Sequence, residues 1–114
     1  MSALGDKQRK FARMAADLIL HAYYLGYEVT LGDAYRDPRV FGMIGARKGY
    51  GSRNSNHKQR LAIDLNLFKD GEYLAGTEDH RELGEWWESQ DSDAVWGGRF
   101  NDGNHYSLQH NGYK

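Results

Sequence analysis

The chain has 114 residues, with 15 Lys and Arg against 16 Asp and Glu for a net charge of -1, and no Cys. At 13.1 kDa and a mean hydropathy of -0.83 it has room for one modest core, which excludes a second domain, a repeat array or a solenoid. The balanced charge without a dense basic run excludes the footprint of a nucleic-acid or anionic-membrane binder, and the missing thiols exclude disulfides, thiolate zinc sites and cysteine nucleophiles.

Leu4, Phe11, Met14, Ala15, Leu18, Ile19, Ala22 and Leu25 recur at three- and four-residue spacing, which predicts an amphipathic helix over residues 4–25. Gly26 stands where a left-handed cap belongs. Tyr27 to Arg36 alternates as a strand does. Asp37-Pro38 is a helix-start signal for a short helix to about Ala46, and Gly49 to Asn56 is a loop. The clearest strand is Leu61 to Phe68, with Leu61, Ile63, Leu65 and Leu67 on one face and Ala62, Asp64, Asn66 and Phe68 on the other. Lys69-Asp70-Gly71 predicts a hairpin turn into Glu72 to Leu74. Asp79 and Glu82 have capping-box spacing before a helix through Leu83, Trp86 and Trp87 to Ser89. Trp96-Gly97-Gly98 opens a loop, and His105 to His110 reads as a last strand. Helices and strands mix without a βαβ rhythm, so the expected class is α+β with a small antiparallel sheet and flanking helices.

Two segments concentrate metal-binding side chains: Ser55-Asn-His57-Lys-Gln-Arg-Leu-Ala62-Ile-Asp64 and Asp102-Gly-Asn-His105. Two imidazoles and one carboxylate suit a zinc ion that keeps an open position for water, as a hydrolytic site requires. Such water has its pKa lowered to about 7 and needs a neighbouring proton acceptor, for which Asp102 is the nearest candidate. Asp64 lies on the polar face of an otherwise apolar strand, where a carboxylate needs a partner and a cation supplies one. On spacing alone the alternative stays open that His57 and His105 are loop polar groups and that Asp64 is satisfied by backbone donors.

Taken together, Ser55-x-His57-x4-Ala62-x-Asp64 and the later Asp102-x-x-His105 resemble the M15 family of zinc peptidases. Segments such as LAIDLNLF, TEDHRELGEWWES and WGGRFNDGNHYSL are similar to those of its short phage and prophage endolysins, over about Val29 to Leu108. The resemblance implies a Hedgehog- and DD-peptidase-like fold, a single catalytic domain over residues 1–114, and Zn2+ held by His57, Asp64 and His105. It implies Asp102 as general base and Arg36, in Ala34-Tyr35-Arg36-Asp37, as the group that steadies substrate or oxyanion; a guanidinium supplies paired donors for that task. It further implies an enzyme that cleaves the peptidoglycan stem peptide, by preference between L-alanine and D-glutamate, with a D-Ala-D-Ala carboxypeptidase as the alternative. The family usually has Gly three residues after the first His, where this chain has Arg60.

Each residue also has a plainer reading. Arg36 could pair with Asp33 or Asp37 on the surface. Ser55 is a candidate for a hydrogen bond to a metal ligand or for a loop turn. Trp96 is a candidate cleft wall, against the default of a core anchor. His80 reads as a helix-terminus residue, His21 and His110 as structural or solvated, and one of Trp86 and Trp87 as core. No secretory signal or bilayer-spanning stretch is visible, so the expectation is cytoplasmic synthesis, release through a separate holin, action on periplasmic peptidoglycan, and a monomer. Two rivals remain: a non-catalytic wall-binding module on the same zinc fold, which the intact Asp102 disfavours, and an iron oxygenase with a facial triad, which needs a larger barrel.

Overall fold

The computed structural model describes residues 3–33 and 56–114. The helix predicted for 37–46, most of the 49–56 loop, Arg36 and Ser55 lie outside the described residues. Helix α1 runs Ala3–Tyr24 and turns Phe11, Leu18 and Ala22 into the core. Gly26, at φ 95°, ends it as expected, and the Tyr27 amide donates back to the Ala22 carbonyl at 3.0 Å. Strand β1 follows at Glu28–Leu31.

Strand β2, Ala62–Lys69, is the spine of the molecule. Its alternation decides its placement: Leu61, Ile63, Leu65 and Leu67 are all buried against the helices. At the hairpin, Asp70 (φ 52°) and Gly71 (φ 81°) are both left-handed, as a primed two-residue turn demands, and return the chain as β3, Glu72–Leu74. Helix α2 spans Arg81–Ser89, strand β4 Ala94–Trp96 and strand β5 His105–Leu108. All pairings are antiparallel in a five-stranded sheet of order β1-β2-β5-β4, with β3 paired to β2. β1 covers one edge of β2 at 65–68, whereas β5 and β3 share the other, at 62–64 and 67–69. The α+β arrangement with an antiparallel sheet is the one the sequence predicts.

The helices cover one face of the sheet. Phe11 of α1 meets Trp87 of α2 edge-on at 5.8 Å, and the Trp87 indole donates to the Ser107 carbonyl of β5 at 3.0 Å. Trp86, the outward one of the pair, stacks on His21 of α1 with ring centroids 4.1 Å apart. Burying Trp87, Trp96, Tyr106 and six leucines supplies the main driving force, at about 1.5–3 kcal/mol for a typical large apolar side chain.

Two local expectations are corrected. Strand β4, Ala94–Trp96, forms just before the Trp96-Gly97-Gly98 loop and was hidden by its shortness. A 3-10 turn, Thr77–His80, precedes α2, so Asp79 does not open the α-helix with Glu82. Its Oδ2 instead accepts from the Gly76 amide at 3.0 Å, capping the 3-10 turn. Among the described residues, no helix is long and apolar enough to cross a membrane.

Candidate metal centre

Asp64 and His105 face each other as a register pair of the β2–β5 ladder. His57 arrives from a 3-10 turn at Asn56–Gln59, whose Asn56 carbonyl takes the Leu61 amide at 2.9 Å. That turn closes through Arg60 at φ 59°, the left-handed conformation for which Gly is the usual residue. Arg60 therefore holds the turn with strain that a glycine at this position would avoid.

One ligand atom from each of His57, Asp64 and His105 lies within 4.8 Å of the others, close enough to share a metal ion. Asp64 Oδ1 is 3.1 Å from His57 Nε2 and 3.5 Å from His105 Nδ1, yet it takes no aligned hydrogen bond among the described residues. His57 is 1% exposed and His105 6%, so neither ring is free to swing away. Burial pushes the Asp64 carboxyl up, but the imidazoles of His105 and His57 outweigh it and hold the group well below the ordinary carboxylate range. A partly buried carboxylate whose enclosed oxygen faces two imidazole nitrogens is the donor set of a divalent cation, and the residues fit zinc.

The main chain fixes this cluster further. The Asp64 amide donates to the Asp33 carbonyl at 2.7 Å and the Gly32 amide to the Asp64 carbonyl at 2.8 Å, which extends the ladder beyond β1. On the other ring nitrogen of His105, Nε2 lies 2.9 Å from the main-chain oxygen of Lys114. Phe100, half exposed, sets its ring edge-on to His105 at 5.7 Å. Neither Lys114 nor Phe100 could be picked out from sequence, because no motif links them to His105.

Asp102 sits apart from the buried set. It is exposed, on the loop between β4 and β5, with Oδ2 3.9 Å from His105 Nδ1. The loop is nevertheless braced. The Asp102 amide donates to the Gly97 carbonyl at 2.8 Å and the His105 amide to the Asp102 carbonyl at 3.0 Å. Beneath it, the Trp96 indole donates to the Gly103 carbonyl at 2.7 Å. Trp96 is fully buried, so its suggested place in a cleft wall or in substrate contact is corrected: Gly84 and Gly98 have no room for a side chain because its ring fills that space. A polar cavity of about 200 Å³, lined in part by Thr77, His80, Asn101 and Asn104, opens beside Asp102. His80 is the N-cap residue of α2, the helix-terminus place read from the sequence. It is buried, with Nδ1 2.7 Å from the Tyr106 hydroxyl, and burial lowers its pKa to about 4.

The small α+β domain thus brings two histidines and an aspartate together at a sheet seam, where they could hold a metal ion, with a second aspartate at the rim. The chain belongs to the M15 peptidase family: the family model described as D-alanyl-D-alanine carboxypeptidase matches residues 48–108, more than half of the 114. It is thus a peptidase of a family that acts on peptidoglycan. No curated protein matches the chain.

Proposed function

We propose that the chain is a zinc metallopeptidase that hydrolyses an amide bond of the peptidoglycan stem peptide, as a single catalytic domain over residues 1–114. The observation that carries this reading is the convergence of His57, Asp64 and His105 within 4.8 Å. In this reading those three residues hold zinc. Bound there, zinc supplies Lewis acidity that activates water near neutral pH and polarises the scissile carbonyl. Asp102 takes a proton from the attacking water and later passes it to the leaving amine; its exposed position near His105 suits that exchange. Arg36 steadies the developing negative charge, and Ser55 donates a hydrogen bond within the ligand set. The buried seam behind the cluster keeps bulk water from the ligands while the Asp102 side stays open to substrate.

The bond between L-alanine and D-glutamate is the favoured target, on the resemblance to short endolysins. Cleavage by a D-alanyl-D-alanine carboxypeptidase is the second reading, favoured by the description of the family. The protein would act as a monomer in the periplasm, reached through a separate holin. Incubation with defined muropeptides, with and without chelator, and weighing of the products tests the scissile bond and the metal dependence. Release of the stem peptide between L-alanine and D-glutamate is the expected result. Loss of a terminal D-alanine would replace it with the second reading, and no cleavage with zinc bound would leave a wall-binding module.

A further inference from the structure

Residues 110–114 fold back on β5 in a turn of their own. His110 and Tyr113 exchange main-chain hydrogen bonds at 2.9 and 3.0 Å around Asn111 (φ 51°) and Gly112 (φ 82°), a two-residue primed turn. The turn is gripped from both ligand-bearing segments. Asn56, adjacent to His57 and 1% exposed, donates through Nδ2 to the Tyr113 carbonyl at 2.8 Å and to the Leu108 carbonyl at 2.9 Å. Ser107, two residues after His105, donates to the Lys114 main-chain oxygen at 3.1 Å, and His105 Nε2 lies 2.9 Å from the same atom.

We propose that the 110–114 turn is a positioning element for His105, its Lys114 main-chain oxygen fixing the proton on Nε2 so that the Nδ1 lone pair faces Asp64 and the metal. A main-chain oxygen can only accept, so the proton of a neutral His105 must sit on Nε2. Nδ1, 3.5 Å from Asp64 Oδ1, then presents a lone pair to a carboxylate, an arrangement that a cation between them relieves. Because Asn56 holds the same turn, the turn also ties the segment before His57 to the strand that carries His105. The proposal rests on the zinc reading above and adds to it an outer partner for one ligand.

The test compares the parent chain with one ended at Asn111, and reads zinc affinity together with the 15N signals of His105 in the metal-free protein. The shortened chain should bind zinc about 10- to 100-fold more weakly, the usual cost of losing such a partner. Its neutral His105 should show a mixture of tautomers where the parent shows protonated Nε2. Lys114→Ala, which keeps the main-chain oxygen, should bind zinc as the parent does. If the shortened chain does not fold, Gly112→Val keeps the length but strains the turn and should weaken zinc in the same sense. Unchanged zinc affinity and an unchanged tautomer in the folded variant would overturn the proposal. If the parent itself bound no zinc, the metal reading would fall, and the tautomer comparison would still decide the positioning role.

Discussion

The β2–β5 seam and the loop between β4 and β5 carry the two halves of the site on opposite terms. At the seam, Asp64 and His105 are paired ladder residues, and His57, itself only 1% exposed, joins them from a turn. On the loop, Asp102 is half exposed and touches the cluster only at 3.9 Å. The seam trades mobility for the geometry a cation requires; the loop keeps its carboxylate wet, where a proton can come and go. Under the proposed mechanism, binding and proton transfer are therefore separable by mutation.

The widest separation comes from the two aspartates. Asp64→Ala should reduce zinc content to background and abolish hydrolysis together, since it leaves two buried imidazoles without their anion. Asp102→Ala should keep zinc stoichiometric and the fold intact, while hydrolysis falls about 10²- to 10⁴-fold, the range for losing a general base. Metal analysis beside a muropeptide assay reads both. Zinc loss in the Asp102 variant would break the distinction.

Gly97 joins the two regions and should show what happens when they are pushed apart. A Cβ there would sit 2.1 Å from the Asp102 carbonyl and 2.7 Å from His105 Cβ, neither of which is a flexible chain end. Gly97→Ala should cost about 1–3 kcal/mol of stability by overpacking and lower activity beyond that loss, because both aspartate loop and ligand strand must move. Denaturant midpoints and zinc affinity, measured together, check it.

How far the seam and the loop were legible in the sequence follows the same contrast. The seam was readable because β2 alternates cleanly: one apolar face fixes its register, and that register puts Asp64 on the opposite, polar side. Joining His57 and His105 to it as one set rests on the resemblance to the M15 family, since spacing alone leaves the plainer reading open. The loop was not readable to the same degree. Trp96 looks alike as a wall or an anchor until its indole is seen bonded to Gly103 beneath Asp102. His80 was legible as a helix terminus but not as a buried one, because a four-residue 3-10 turn leaves no periodic signal and its partner Tyr106 is 26 residues away. Long-range hydrogen bonds such as these have no sequence spacing to betray them.

His80 marks a further difference, since it is a buried titratable group that bonds Tyr106 and lines the cavity beside Asp102. Burial lowers its pKa from the ordinary 6.5 to about 4, partly offset by Asp79. Between those values the unfolded chain holds the proton and the folded chain does not, so stability is full above pH 6.5 and drains as pH falls toward 4. The loss amounts to at most about 3 kcal/mol. Urea midpoints at pH 7 and pH 5 should diverge in the parent and converge in His80→Gln. Equal divergence in both would assign the pH dependence elsewhere.

The smallest effect concerns the turn before β2. Arg60 sits at φ 59°, where an L-residue costs about 1–2 kcal/mol that glycine avoids. Glycine gives part of this back as unfolded-chain entropy, so Arg60→Gly should stabilise by about 0.5–1 kcal/mol, or a few degrees in Tm. If the turn serves only to deliver His57, zinc affinity should hold constant while Tm rises, because the φ it needs is already adopted. A change in zinc affinity would instead mean that Arg60 displaces His57 from its relaxed place at the seam. The strain would then belong to the metal centre and not to the turn alone.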